Sequence, residues 1–257
     1  MTKKTWLLHC VMAVGFVSVL ALPTVVSAQN LEIGVTAAVN PDAESMPPSK
    51  ETRVLNVGLN VFNNEVIRTS AKGQAQMLFA DQSALTIGPN SEVVLDEFVY
   101  DPNTKTGKIA LDATKGLFRL VGGRISKNTP VTLKTPTATI GIRGGIAFVA
   151  VQPTGETSAT FLFGDSMSVT NEGGTQVALR PGFEINVSAA NTAPSAPVPA
   201  SAQALSSALG SLEESRIARR KMPPRVKTLP RRACPAARKA HLLMWHRHPV
   251  DRHRVTR

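Results

Sequence analysis

Between residues 53 and 187 the apolar positions alternate and do not follow a helical period. Ala75, Met77 and Phe79 are interleaved with Gln74, Gln76 and Leu78. Leu85 and Ile87 flank Thr86, Val131 and Leu133 flank Thr132, and Ile140 and Ile142 stand either side of Gly141. A period of two puts every second side chain on one face of an extended chain, so these runs predict β-strands with one buried side. Sixteen of the eighteen glycines lie between Gly34 and Gly182, many in turn-like settings such as Gly88-Pro89-Asn90, Gly122-Gly123, Gly144-Gly145 and Asn171-Glu172-Gly173-Gly174. Strands punctuated at such short intervals predict an all-β domain, either a compact multi-stranded sandwich or a short β-solenoid-like stack, over residues 31–188.

The pattern changes twice after Val187. Residues 189–203 are rich in Ala, Ser and Pro, which predicts an extended linker. Residues 204–221 predict a short helix with Leu205, Leu209 and Leu212 on one side. Over residues 222–257 Pro and Arg dominate without periodicity, which predicts a disordered basic tail. At the other end, Lys3 and Lys4 precede an apolar run from Trp6 to Leu22, followed by Pro23 and the small-residue sequence Val26-Ser27-Ala28. That arrangement predicts a signal peptide over residues 1–28, cleaved after Ala28, and a periplasmic or secreted protein.

Charge alters the picture only once it is divided along the chain. The 257 residues carry a formal net charge of +11, which taken alone invites a nucleic-acid partner. Residues 29–215, however, hold 13 Lys+Arg against 17 Asp+Glu, while residues 216–257 hold 14 against one. The domain is mildly acidic, and nucleic acid is a poor partner for an exported chain. The tail is an arm for anionic surfaces such as lipid headgroups or cell-wall polymers, or else the product of a shifted reading frame. All five histidines and both cysteines lie before residue 11 or after residue 233. A domain without either type has no Ser-His-Asp triad, no thiolate nucleophile and no Cys/His zinc site.

Several segments together resemble the FecR domain family. They are Val66-Ile67-Arg68-Thr69, the run from Gly73 to Ile87, Lys115-Gly116-Leu117-Phe118-Arg119, and Thr135-Pro136-Thr137-Ala138-Thr139-Ile140-Gly141-Ile142-Arg143-Gly144-Gly145. The likeness spans roughly residues 54–151. It departs from the family pattern at Asp81-Gln82-Ser83, where the family has Asp-Gly-Ser, and at Gly145, where the family has Thr. The resemblance implies an all-β module of the bacterial envelope. The family's founding members join such a module to a transmembrane span and a cytoplasmic anti-sigma segment. Neither is expected here, so no sigma-factor contact is expected. The partner implied is an unidentified envelope protein or surface polymer.

Two neighbourhoods could carry function. Asp96, Glu97, Asp101 and Asp112 form the densest acidic group, and two carboxylates suitably spaced would suit a glycosidase acting on envelope polysaccharide. The alternative is a polar strand end running into a turn, since Asp and Asn favour turns for backbone reasons. Gly141, Arg143, Gly144 and Gly145 could bind an anion through backbone N–H groups and a guanidinium, or could form a tight strand crossing with Arg143 held by a buried acid or by carbonyls. No cofactor and no metal is called for. The reading is a non-catalytic interaction module, with loops as its recognition elements.

Overall fold

The computed structural model describes residues 31–40 and 42–218. The expected signal peptide, the tail over 222–257 and the last three residues of the expected helix lie outside these residues. Seventeen strands follow one another: β1 (Glu32–Asn40), β2 (Ala43–Met46), β3 (Arg53–Val54), β4 (Asn60–Phe62), β5 (Glu65–Thr69), β6 (Gln74–Phe79), β7 (Ala84–Ile87), β8 (Glu92–Asp101), β9 (Thr106–Val121), β10 (Val131–Lys134), β11 (Thr139–Arg143), β12 (Ile146–Val151), β13 (Thr157–Phe163), β14 (Ser166–Asn171), β15 (Gly174–Ala178), β16 (Phe183–Val187) and β17 (Val198–Pro199). Among the described residues one α-helix, α1 (Ala202–Ala218), follows them. The domain is all-β, as the alternation predicts.

The strands are linked by hydrogen bonds into one sheet that folds into two layers. One layer runs β4-β1-β6-β7-β9-β12-β13-β16-β17. The other runs β3-β2-β5-β8-β9-β10-β11-β14-β15. Strand β9 belongs to both: its first part pairs with β8 and β10, its last part with β7 and β12. The switch occurs at Gly116, whose φ is +112° and where a Cβ would collide with Ser91. Only glycine fits there. Every pairing is antiparallel except that of β9 with β10.

Both layers contribute to one apolar core. Met77, Phe79, Phe118, Leu120 and Phe161 come from the first layer, and Ile67, Val93, Ile109, Leu133 and Ile142 from the second. Phe79 and Phe98 stack between the layers with ring centroids 5.7 Å apart. The chain builds hairpins alternately in the two layers, crossing between them after β11 and again after β13. This alternation explains why the sequence suits both a sandwich and a coil; packing around a common core makes it a two-layered sandwich.

The Ala/Ser/Pro-rich stretch is extended, but it is tied to the domain and does not hang free. Val198 and Pro199 pair with Glu184 and Phe183, Ser195 N–H donates to the Asn186 carbonyl, and Asn171 Nδ2 donates to the carbonyls of Ala189 and Thr192. Sequence reading of this stretch looks for apolar anchors, whereas backbone hydrogen bonding holds it. Helix α1 lies on the outer surface of the first layer, with Leu212 buried near Gly88 and Gln74 Nε2 donating to the Ser211 carbonyl.

Candidate functional site

The Gly-Arg segment is one of the crossings. Strand β11 lies in the second layer and β12 in the first, so Gly144 and Gly145 must carry the chain between them within two residues. Gly144 has φ +59°, and a Cβ there would come 2.8 Å from Asp165 Oδ2; at Gly145 a Cβ would strike the Phe163 carbonyl. The return crossing at Gly164 and Asp165 stacks against it, with Asp165 N–H donating to the Arg143 carbonyl. Gly144 N–H donates to the Ser126 carbonyl and Gly122 N–H to that of Gly145. The backbone donors of Gly144 are thus used internally. Gly141 lies within β11, facing Ser168, and leaves room for its hydroxyl.

Arg143 corrects one expectation. It is exposed, and among the described residues its guanidinium meets no acid and no carbonyl. Alternation is the cause: Ile140 and Ile142 take the core side of β11, which turns Arg143 outward. The glycines make the crossing, and the arginine plays no part in holding it.

At the opposite end of β11 from this crossing, the hairpin Thr135-Pro136-Thr137-Ala138 joins β10 to β11. Thr135 Oγ1 donates to the Ala138 carbonyl, and the hydroxyls of Thr137, Thr157 and Thr135 form a chain with separations of 2.8 and 3.0 Å. This chain ties the hairpin of one layer to the β12–β13 hairpin of the other. A shallow groove of about 400 Å³ opens above it, lined by Asp112, Lys134, Thr139, Thr170, Asn171 and Glu172 among others.

The acidic neighbourhood disperses. Asp96 pairs with Lys134 at 3.1 Å and Glu97 with Lys108 at 2.6 Å. Asp101 accepts from Asn103 N–H and from Thr104 Oγ1, both at 2.9 Å, and these bonds hold its carboxyl below the usual carboxylate range, the backbone bond contributing most. The Lys108 ammonium is pushed up by its hydrogen bond with Glu97. Only Asp112 reaches the groove. Among the described residues no group of three or more His, Cys, Asp or Glu is placed to hold a metal ion.

The acids with unusual settings lie elsewhere. Asp81 is fully buried in the β6–β7 turn. Its Oδ1 accepts from Ser83 N–H at 2.9 Å, and its Oδ2 accepts from Ser83 Oγ at 2.7 Å and Ile125 N–H at 3.2 Å. The residue between them, Gln82, has φ +72°, so the left-handed turn forms without the family's glycine. Glu65, equally buried, pairs with Arg53 at 2.9 Å and accepts from Phe62 N–H, while Arg53 Nη2 donates to the Asn60 carbonyl. Together they satisfy the outer backbone groups of the edge strand β4. A lone acid opening the strand ahead of Val66 and Ile67 was the available signal for Glu65, and the Asp-x-Ser turn for Asp81.

The turn at Asp81, the switch at Gly116 and the crossing at Gly144 fall in one continuous stretch, and residues 65–165 match the family model described as FecR protein. It is a FecR domain that these residues match. The matched part begins at β5 and ends at the second crossing, so it excludes β1–β4 and everything from β14 onward. No curated protein matches the chain. Among solved structures, two crystal structures of a candidate anti-sigma factor from Parabacteroides distasonis ATCC 8503 are similar, each with a TM-score of 0.45 and 14% identity. The alignments cover 56% of this chain and 63% and 64% of those chains, so less than two thirds of either is spanned. Among the described residues no helix is long and apolar enough to cross a membrane.

Proposed function

We propose that this protein is a non-catalytic FecR-like interaction module of the bacterial periplasm, serving sensing or envelope assembly through contact with an envelope protein or surface polymer. The observation that carries this reading is the setting of the carboxylates. With His and Cys confined to residues before 11 and after 233, acid–base chemistry near neutrality needs an Asp or Glu displaced by burial in a cleft. Asp96, Glu97 and Asp101 are instead paired or turn-bonded at the surface, and the oxygens of Asp81 and Glu65 are taken up by backbone N–H groups, the Ser83 hydroxyl and the Arg53 guanidinium. The apolar run over residues 6–22 and the Val26-Ser27-Ala28 processing sequence support export. The crossing at Gly141, Arg143, Gly144 and Gly145 offers an exposed, unpaired guanidinium on a rigid turn as a contact point for that partner.

A second reading draws on the groove that holds Asp112 and Glu172. Two acids facing a polysaccharide would make the module a carboxylate enzyme. Incubation of the protein with isolated envelope glycans, alongside Asp96→Asn, Glu97→Gln, Asp101→Asn, Asp112→Asn and Glu172→Gln, separates the two. No hydrolysis by any of them is expected. Turnover by the parent that one substitution abolishes, with the circular dichroism unchanged, would replace the binding module with the enzyme. A role for the tail on anionic surfaces predicts association with anionic vesicles that weakens steeply with salt and vanishes on removal of residues 219–257.

A further inference from the structure

Charge is unevenly placed over the domain. Residues 29–215 hold 13 Lys+Arg against 17 Asp+Glu, yet four of those cations, Arg124, Lys127, Arg143 and Arg180, gather at the end of the sandwich where the chain crosses between layers. Hydrogen bonds join their segments. Gly144 N–H donates to the Ser126 carbonyl, which sets Lys127 beside Arg143, and Arg124 directly precedes the short 3-10 turn (Ile125–Lys127) that Lys127 closes. Arg143 stands opposite Ser166 on β14, and Met167 opposite Ala178 on β15. Leu179 and Arg180 therefore follow on two strand spacings, roughly 10 Å, from Arg143. Phe163 lies across the crossing, its carbonyl occupying the place of a Cβ on Gly145.

All four cations are exposed, and among the described residues none forms an ion pair. Arg53, Arg68, Lys108 and Lys134, by contrast, each meet an acid. Arg124 makes one side-chain bond, from Nε to Gln82 Oε1 at 3.3 Å. The exposed acid within the crossing is Asp165, and Asp81 behind the turn is buried. The neighbouring β8–β9 hairpin, whose Gly107 packs against Ile125, adds no net charge, since Glu97 pairs with Lys108 and Lys105 offsets Asp101. A cationic end thus stands on a domain that is acidic as a whole. Beside the cations, Phe163 and Leu179 are 65% and 68% exposed, and Pro181 is exposed with them. Arg and Lys alone would suit any polyanion, but exposed Phe and Leu gain only where they leave water. A bilayer interface supplies both, anionic headgroups for the cations and the acyl-chain boundary for the apolar side chains. The acidic remainder of the domain is repelled by the same surface, which turns this end toward it.

We propose that the crossing end of the domain is a docking surface for an anionic phospholipid bilayer, with Arg124, Lys127, Arg143 and Arg180 at the headgroups and Phe163 and Leu179 at the acyl-chain boundary. Such docking goes beyond the interaction-module reading and does not depend on it: glycan hydrolysis would sink that reading and leave the membrane surface standing, while a failure to meet lipid would sink only the surface. It also differs from any association through residues 219–257, because the folded domain itself meets the membrane.

The test places its reporter on the surface. In the full chain carrying Trp6→Phe and Trp245→Phe, Phe163→Trp supplies the sole tryptophan, so lipid contact by residues 1–30 or 219–257 does not register in its emission. Vesicles of phosphatidylglycerol and phosphatidylcholine are expected to shift that emission to shorter wavelength, and brominated acyl chains to quench it, whereas phosphatidylcholine alone leaves it unchanged. Adding Arg143→Glu with Arg180→Glu is expected to raise the lipid concentration at half-maximal shift about 25-fold or more, at about fivefold per cation near a charged surface. Arg124→Gln with Lys127→Gln provides a second pair, should the first lower the melting temperature. Emission that stays unchanged while the protein sediments with the vesicles overturns the proposal, as does an equal shift on neutral vesicles or a shift indifferent to both pairs. So does saturable binding of short-chain polyphosphate that depends on the same cations without any quenching by brominated lipid, since a soluble polyanion would then be the occupant.

Discussion

Asp81 and Glu65 on one side, and the β8–β9 hairpin with Asp96, Glu97 and Asp101 on the other, are the two acidic regions of this domain, and they behave oppositely. The hairpin is dense in carboxylates, yet each is met by a lysine or by its own turn at the surface. Asp81 and Glu65 are solitary in sequence, yet both are fully buried and each accepts from backbone N–H groups that nothing else would satisfy. Density of acids along a chain therefore says little about which of them matter to the fold. What matters is how many donors depend on each oxygen, because a buried donor left alone costs its full desolvation penalty whereas an exposed one returns to water.

The comparison breaks most readily at Asp81. Asp81→Ala strands two backbone N–H groups and the Ser83 hydroxyl in the core, and is expected to cost about 3 kcal/mol or more, read as a melting temperature lower by roughly 10 °C. A change of under two degrees would mean that the turn does not depend on the carboxylate. At Glu65 the expected loss is about 2–3 kcal/mol for Glu65→Ala, because Arg53 then keeps a half-buried charge without its partner. The double variant with Arg53→Ala should cost less than the sum of the two single variants in a urea-denaturation cycle; strict additivity would show that the pair is not coupled.

Gly144→Val sharpens the contrast from outside the acids, since it strains the crossing without touching a charge. Its φ of +59° and the nearby Asp165 carboxylate predict a loss of about 1–2 kcal/mol, while Arg143→Lys next to it should change stability by less than about 0.5 kcal/mol. A reversed order of the two effects in thermal melts would return Arg143 to a structural role. The smallest effect belongs to Asp101. Its folded pKa is lowered, so its contribution is present above the ordinary carboxylate pKa and is lost as the pH falls through the folded value. Asp101→Asn keeps an Asx turn but removes this titration. Melting curves between pH 5 and pH 2 should fall slightly less steeply for the variant; identical slopes would show that the turn bonds carry no proton linkage.

Alternation at Ala75-Met77-Phe79, Val131-Leu133 and Ile140-Ile142 was enough to determine strands, their buried faces and the all-β class, because side-chain period is a local property of an extended backbone. The motif segments likewise pointed to the stretch that matches the FecR model, whereas Gly144 and Gly145 left a tight crossing and an anion site both open. Pairing partners were beyond local reading. Nothing near Gly116 in sequence announces that β9 leaves one layer for the other, because the reason is Ser91, twenty-five residues away, occupying the space a side chain would need. Nor does residue 82 announce a left-handed turn: glycine is absent, and the conformation is imposed by Asp81 reaching Ser83 and Ile125 across the core. The cationic end around Arg143 is composed of residues from four separate segments, each ordinary in its own stretch. Only the register of hydrogen bonds, which is set by packing the whole core at once, brings them together at the crossing.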